Sequence, residues 1–355
     1  MRCLLALTIA LFAWASPATA LNSGMVNLNS TSGGLARYEM VAPRPGGLNS
    51  RLTFTRASTA SCHDAAGQLY QLQTNQPCYD YNPTTLEYRG LRVEGTTRTN
   101  LLTNTTAPST QTVSSTAAIH TLSFSGSGSI VLSGTASATV AGPGVAYPSR
   151  STLSFTPTAG NLTVTVSGSV QFAQLEPGAF ATSFIYGTTS NTVRAAELVE
   201  VSQTTFAEIY GGFVNSAISV HAQAAPMYLT ANAGVFAFYD GTADEQLLVR
   251  LSGAGTLSTA FVADGTVTQA SIGEGTQTMV SGTIARFSTA FSANDFEFIV
   301  NNAASGTDTS GTMPTVNALR LGWQPNGPTV GNFWYRRLYV VPYRLPSAAL
   351  RGLNQ

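Results

Sequence analysis

Apolar and polar side chains alternate along short stretches in the last two thirds of the chain. Successive side chains of a β-strand point to opposite faces, so this period indicates one buried and one solvated face. Glycine, asparagine and aspartate separate the stretches at the spacing of strands in a β-sandwich. The pattern therefore predicts an all-β protein, and it is clearest in Leu162–Ser167, Leu247–Leu251, Phe296–Val300 and Leu319–Trp323.

The length of the chain predicts more than one folding module. Its 355 residues exceed the roughly 100–200 residues of a usual domain. We divide the strand-rich part into two consecutive β-sandwich modules, at 105–198 and 199–355, and expect jelly rolls because this closure limits exposed sheet edges. Residues 47–104 are denser in arginine, aspartate and tyrosine and contain several turn signals. They predict a small β-hairpin region that precedes the sandwiches.

The N-terminus has the order of segments found in a secretory signal peptide. Arg2 precedes an apolar run that ends at Trp14, and Ala18-Thr19-Ala20 has the form of a cleavage site. We predict a signal peptide over 1–20, with an uncleaved peg that docks in a larger assembly as the alternative. Residues 21–46 are rich in Asn, Ser, Gly and Pro and predict a linker or arm. No later stretch is long and apolar enough to span a bilayer.

Two cysteines remain after the predicted signal peptide, Cys62 and Cys78. Export to an oxidising compartment permits a disulfide between them, which would staple the hairpin region. In the chain-entropy model, a disulfide that closes a loop of this length stabilises the folded protein by about 3 kcal/mol. Two free buried thiols are the alternative.

The charge balance argues against two classes of partner. All 17 basic residues are arginine, they match 17 acids, and they form no basic cluster. Nucleic acids and anionic membrane surfaces attract proteins through such clusters. We expect neither partner.

The sequence contains no motif of an enzyme. There is no G-x-S-x-G elbow, no lysine for a phosphate-binding loop, and no cluster of histidines and cysteines for zinc. We predict a non-catalytic protein without a cofactor. A glycosidase remains the alternative, because its two carboxylates can come from distant strands.

The densest acidic patch consists of Asp240, Asp244 and Glu245. Aspartate and glycine are turn residues, which favours a solvated hairpin tip. Calcium is the alternative, because clustered carboxylates on a loop suit a hard cation.

One segment has the composition of a sugar-binding surface, in which an aromatic ring covers apolar C–H groups and neighbouring polar groups bind hydroxyls. Trp323 is followed by amide side chains, although its phase with Leu319 and Leu321 favours a core position. The predicted glycan-binding residues are Tyr239, Asp240, Trp323, Gln324 and Asn326.

The last predicted strand, 333–340, carries large residues on both faces. We therefore expect it to be covered on both sides, as a central strand is. Trp334 is in phase with Leu338 and Val340, which favours a core position for its indole.

Several motifs of this chain resemble those of tailed-phage head-spike and tail-fibre-like proteins. The resemblance covers about residues 50 to 355, and its motifs are Leu52–Ala60, Asp64–Gly67, Asn75–Pro77, Asp80–Pro83, Gly90–Gly95, Thr99–Leu102, Gln174–Ile185, Val193–Glu197, Leu319–Gly322, Trp334–Leu338 and Leu345–Leu350.

The resemblance implies a carbohydrate-binding-like jelly roll at 105–198 and a concanavalin/laminin-G-like jelly roll at 199–355. It also implies a virion component, a spike or fibre protein that attaches to cell-surface polysaccharide of the host and forms a homo-oligomer with other spike subunits. It implies no catalytic residues.

Two features depart from those phage proteins. They assemble in the cytoplasm, which disagrees with a cleaved signal peptide, and ordinary residues are expected where this chain has Cys62 and Cys78. A secreted bacterial lectin or adhesin built from the same modules is therefore the alternative, so the expected location is extracellular or on a virion surface.

Overall fold

The computed structural model describes residues 38–43, 45–189, 191–210, 216–274, 277–303, 306–325 and 330–355. The predicted signal peptide or peg at 1–20 and most of the arm at 21–46 lie outside these ranges. The described part of the chain holds two short helices, and its other regular elements are strands, which confirms the all-β class. None of its helices is long and apolar enough to cross a membrane.

The N-terminal part of the described chain contributes seven short strands. Their bounds are β1 Tyr38–Val41, β2 Thr53–Thr55, β3 Ala60–His63, β4 Leu69–Leu72, β5 Cys78–Tyr81, β6 Tyr88–Glu94 and β7 Arg98–Asn100.

The middle of the chain forms a small sandwich of two antiparallel sheets. Its strands are β8 Gln111–Ser115, β9 His120–Ser125, β10 Ser129–Gly134, β11 Ala138–Ala141, β12 Ser151–Phe155, β13 Gly160–Ser167 and β14 Gln171–Pro177. One sheet has the order β11-β10-β13-β8 and the other β12-β9-β14. Leu162, opposite Val113, and Val164, opposite Leu132, point into the core between the two sheets, while Thr163 between them is more exposed.

The C-terminal part supplies most strands of a larger sandwich. Its elements are β15 Thr192–Arg194, β16 Leu198–Val201, α1 Gln203–Tyr210, β17 Ala217–Pro226, β18 Gly234–Tyr239, β19 Gln246–Ser252, β20 Leu257–Asp264, β21 Val267–Glu274, β22 Ala285–Ser292, β23 Asp295–Val300, β24 Gly306–Asp308, β25 Ala318–Leu321, β26 Asn332–Val341 and α2 Ser347–Leu353.

The two sheets of the larger sandwich draw strands from both ends of the chain. The eight-stranded sheet has the order β24-β23-β22-β17-β26-β6-β5, with β1 also paired to β26, and the seven-stranded sheet has the order β2-β16-β25-β18-β19-β20-β21. Phe54, Leu91 and Val93 enter the same core as Phe238 and Phe287. The hairpin region 47–104 therefore shares the larger sandwich, because its short strands bury their apolar side chains there. Among the described strands of this region, β3 and β4 pair with each other, and β7 lies outside the two large sheets.

The small sandwich is inserted into the chain of the larger one. The chain leaves the larger sandwich through β7 and returns through β15, and these two strands pair with each other from Arg98 opposite Arg194 to Asn100 opposite Thr192. The two strands thus form the neck between the sandwiches.

Strand β26 lies between β17 and β6, which confirms its expected central position. A β-bulge interrupts it: Gln223 of β17 faces Arg337, while the next residue, Ala224, faces Tyr335. Arg336 is therefore an extra residue, and the alternation of β26 reverses on passing it. Tyr335 and Leu338 both point into the large core as a result.

Candidate functional site

The larger sandwich brings two of the predicted glycan-binding side chains together. Tyr239 ends β18, and Trp323 follows β25, the neighbouring strand. Their ring centroids lie 4.7 Å apart with the planes inclined by 56°. The guanidinium carbon of Arg320 lies 4.6 Å from the centre of the indole ring. We call Tyr239, Arg320 and Trp323 the aromatic platform. Both rings are partly exposed.

The backbone beside Trp323 is fixed by a glycine. A Cβ atom on Gly234 would lie 2.0 Å from the carbonyl oxygen of Trp323, so no other residue fits at this position without moving β18 or the segment after β25. Burial, helped by the negative charge of Glu200, raises the pKa of the Tyr239 phenol. The platform therefore presents a neutral phenol, an indole and one cation.

The other predicted glycan-binding residues take different positions. Gln324 is buried, and its side-chain oxygen has no hydrogen-bond partner among the described residues. Asp240 accepts hydrogen bonds from the backbone N–H and the hydroxyl of Thr242, at 2.8 and 2.6 Å, and so holds its own turn. Asn326 lies outside the described residues.

The structure does not assemble the acidic patch into a calcium site. Glu245 accepts hydrogen bonds from the backbone N–H groups of Gly265 and Thr315, at 2.8 and 2.7 Å, and ties two loops together. In the described ranges, the one group of close metal-ligating side chains is Cys62, Cys78 and Asp80 rather than Asp240, Asp244 and Glu245. Because the two sulfurs of that group form a disulfide, it offers no thiolate ligand.

The predicted disulfide between Cys62 and Cys78 is present and buried. It joins β3 to β5. The carboxylate of Asp80 lies beside it and binds His63, the residue after Cys62. Asp80 accepts hydrogen bonds from the backbone and the ring of His63, at 3.1 and 3.0 Å, and from the indole N–H of Trp334 at 2.8 Å. Burial opposes the ionisation of Asp80, but the bond from His63, the charge of Arg92 and the bond from Trp334 lower its pKa to about 2.

A groove that the sequence did not reveal lies beside Trp334, on the outer face of the eight-stranded sheet. Its volume is about 410 Å³, and it is lined by β17, β22, β26, the start of β6 and the loops that precede β6 and β22. We call it the Trp334 groove. The indole is buried with 8% exposure, as expected, but it packs with Ala225 and Met227 instead of joining the large core, because the bulge at Arg336 separates its face from that of Leu338.

Three arginines line the Trp334 groove: Arg89, Arg286 and Arg336. The guanidinium carbon of Arg89 lies 4.6 Å from the centre of the Trp334 ring. Arg336 donates a hydrogen bond to the carbonyl oxygen of Tyr88. Among the described residues, none of the three forms an ion pair. No local signal marks this group in the sequence, since its members come from three segments far apart.

Other arginines lie in a buried network where the hairpin region, the neck and the two sandwiches meet. This junction network consists of Arg56, Arg92, Glu94, Arg194 and Glu197. Arg56 contacts Glu197 at 2.9 Å, and Glu94 lies 3.3 Å from Arg92 and 3.6 Å from Arg194. Burial opposes the ionisation of Glu94, but Arg194 and Arg92 keep its pKa below the usual value.

The junction network also reaches the small sandwich and the backbone. The carboxylate of Glu94 accepts hydrogen bonds from the backbone N–H and the hydroxyl of Ser183, at 3.1 and 2.6 Å, and Glu197 accepts one from the backbone N–H of Glu94 at 2.8 Å. All five residues of the network belong to the motifs that resemble phage spike proteins. In this chain those motif residues hold the modules together and lie away from the surface.

No protein-family profile matches the chain, and no curated protein matches its sequence. Solved structures match parts of it. Domain 4 of the extracellular GH43 arabinanase AbnA from Geobacillus stearothermophilus, in complex with arabinotriose, has a TM-score of 0.34 at 13% identity, over 45% of this chain and 73% of that one. The binding domain of botulinum neurotoxin DC, in complex with rat synaptotagmin II, has a TM-score of 0.34 at 10% identity, over 45% and 39%. A SAP-like pentraxin from Limulus polyphemus has a TM-score of 0.31 at 10% identity, over 39% and 70%. Likeness at this level assigns no function to the chain.

Proposed function

We propose that this chain is a non-catalytic, surface-displayed protein that binds glycans through the aromatic platform. The observation that carries the proposal is the meeting of Trp323, Tyr239 and Arg320 across two neighbouring antiparallel strands, β18 and β25. Partly exposed rings cover the apolar C–H surface of a sugar, and a guanidinium donates hydrogen bonds to its hydroxyls. The cell-surface polysaccharide of a host is the expected ligand class.

Two settings suit such a protein. The first is a head spike or fibre on a phage, prophage or gene-transfer particle, acting as a homo-oligomer; the motifs at the junction support it. The second is a secreted bacterial lectin or adhesin, and the Cys62–Cys78 disulfide favours it, because disulfides persist in oxidising compartments. N-terminal sequencing of the native protein separates the two. A chain that starts at Leu21 in the medium supports secretion, and an intact Met1 within a particle supports the spike.

The absence of catalysis is part of the proposal. A glycosidase of the usual kind needs two carboxyl groups about 5–10 Å apart on either side of the scissile bond. Near the platform, Asp240 is engaged by the backbone N–H and the hydroxyl of Thr242, and Glu200 is the carboxylate whose charge acts on Tyr239. Prolonged incubation of the protein with a bound polysaccharide should leave the polymer length unchanged, and new reducing ends would contradict the proposal.

The test of the platform uses Trp323→Ala in a retention assay on immobilised host polysaccharides. We expect the apparent affinity to fall about tenfold or more, as for a central aromatic side chain of a binding site. Tyr70→Ala is the matched control, because it removes another exposed ring on the distant hairpin β3–β4, and it should bind like the parent protein.

Folding and binding are separated by a second variant and a melting curve. Trp323→Phe keeps an aromatic ring in contact with Tyr239 and should retain part of the affinity with an unchanged melting temperature. Full retention of Trp323→Ala on every polysaccharide that the parent protein binds would overturn the platform as the binding site.

A further inference from the structure

We infer that the Trp334 groove is a second binding site and that its ligand is an anionic sugar, namely a carboxylate-bearing unit of an acidic glycan. The inference does not rest on the aromatic platform, which lies on the other sheet of the larger sandwich. It rests on the groove's charges, on the way its arginines are held, and on its polar lining.

The charge of the groove differs from that of the whole chain. Its described lining holds Arg89, Arg286 and Arg336 against the single carboxylate of Glu87, while the sequence as a whole balances 17 basic against 17 acidic residues. A recess with excess charge of one sign attracts ligands of the opposite sign more strongly than an open surface does. The groove therefore favours an anion.

Two of the three arginines of the groove, Arg89 and Arg336, are held in place by contacts that are not ion pairs among the described residues. Asp80 fixes the indole of Trp334 through its N–H, and Arg89 lies over that indole. The β-bulge of β26 directs Arg336 into the groove, where the carbonyl oxygen of Tyr88 accepts one of its hydrogen bonds. Bulges beside functional sites commonly redirect a side chain in this way.

Donor groups are left over for a ligand. Among the described residues, no hydrogen bond or ion pair engages the guanidinium groups of Arg89 and Arg286, so their terminal N–H groups are available in the groove; the Nε–H of Arg286 is buried. A guanidinium carries five N–H donors in a planar fork that matches a carboxylate with two parallel hydrogen bonds. Burial lowers the pKa of Arg89, yet an arginine keeps its charge at every ordinary pH. The groove thus presents three permanent cations.

The rest of the lining suits a sugar ring. Asn82, Gln223 and Thr283 supply amides and a hydroxyl, which can donate and accept hydrogen bonds as sugar hydroxyls require, and Tyr88 adds an aromatic ring. The volume of about 410 Å³ falls within the usual range of ligand sites, roughly 300–1,000 Å³. A bare inorganic anion would leave most of this polar surface unused.

The experiment is saturation-transfer NMR on the full chain with four carboxylated sugars, namely glucuronic, galacturonic, mannuronic and sialic acid. Glucose, galactose and mannose are the neutral partners of the first three, and glucose 6-phosphate tests whether any anion suffices. We expect at least one carboxylated sugar to bind, its neutral partner to bind at least about tenfold more weakly, and added salt to weaken binding.

Arg286→Gln locates the site, because no described partner depends on its guanidinium. The variant should lose about tenfold or more in affinity for the carboxylated sugar, as expected for a charge-assisted hydrogen bond. Arg250→Gln is the matched control: the Nε–H of Arg250, like that of Arg286, has no hydrogen-bond partner among the described residues, but Arg250 lies over Phe261, outside the groove. It should bind like the parent protein.

Three results would overturn the inference: binding of none of the four carboxylated sugars, equal binding of acid and neutral partners, or unchanged binding by Arg286→Gln. Binding of glucose 6-phosphate alone would replace the carboxylate by a phosphate and also refute it. Trp323→Ala should bind the carboxylated sugar normally, so failure of the groove and failure of the platform give different results.

Discussion

Arginine occurs in two contrasting states in this protein, in the junction network and in the Trp334 groove. At the junction, Arg56 and Arg194 are fully buried and lie beside the carboxylates of Glu197 and Glu94. In the groove, Arg89 and Arg286 line a recess and form no ion pair among the described residues. The same residue type therefore occurs in two environments, and the presence or absence of a carboxylate partner distinguishes them.

The contrast teaches where to look for function in a chain of low charge. A buried arginine without a counter-ion is costly, so the junction must supply acids to keep its modules together. An arginine at a partly open groove keeps part of its hydration and can bind an anionic ligand there. Paired arginines thus indicate architecture, and unpaired arginines in a recess indicate binding.

The largest expected effect comes from removing one acid of the junction. Glu94→Gln leaves Arg194 without its carboxylate in a fully buried position and should lower the free energy of unfolding by about 3–5 kcal/mol. Urea denaturation measures the change. The control is Glu39→Gln, which removes the partner of Arg337 from a partly exposed pair and should cost less than about 1 kcal/mol. Equal effects of the two variants would show that the junction charges contribute no more than a surface pair.

The small sandwich was the part of the fold most accessible from sequence, because its pattern is local. Each of Leu162 and Val164 is buried by the alternation that its own neighbours display. The pairing of Leu91 with Tyr335 in the larger sandwich joins residues far apart in the chain, and no local period reports such a partner. The hairpin region was therefore predicted as a preceding unit, although its strands complete the larger sandwich.

The candidate sites were predictable to different degrees for similar reasons. Trp323 and Tyr239 were both selected by composition, and the structure brings their rings together. The face of Trp334 was assigned from its phase with Leu338, and one extra residue in the strand, Arg336, reversed that phase. The carboxylates at 240, 244 and 245 are close in sequence, but Glu245 accepts hydrogen bonds from two loops. The three acids therefore do not form a cation site in the described structure.

A smaller effect is expected from acid, through the Asp80 carboxylate that anchors the groove's indole. Its pKa of about 2 lies below the usual 3.8, so the ionised form stabilises the fold. That stabilisation is present above the usual pKa, near pH 4, and is lost as the pH falls through 2, and it amounts to about 2 kcal/mol. Unfolding free energies between pH 7 and pH 2 should therefore fall by about 2 kcal/mol less in Asp80→Asn than in the parent protein. The same decline in both proteins would refute this role of Asp80.

The smallest effect is expected at the groove, and it completes the contrast between the two kinds of arginine. Arg286→Gln removes a guanidinium that makes no ion pair with a described residue, so the free energy of unfolding should change by no more than about 0.5 kcal/mol. Arg194→Gln removes a guanidinium of the same chemistry from beside Glu94 and should destabilise the protein by several times as much. Both are measured by urea denaturation at one pH and salt concentration. A loss above about 1 kcal/mol in Arg286→Gln would mean that this arginine supports the fold, and its lack of a carboxylate would no longer indicate a ligand.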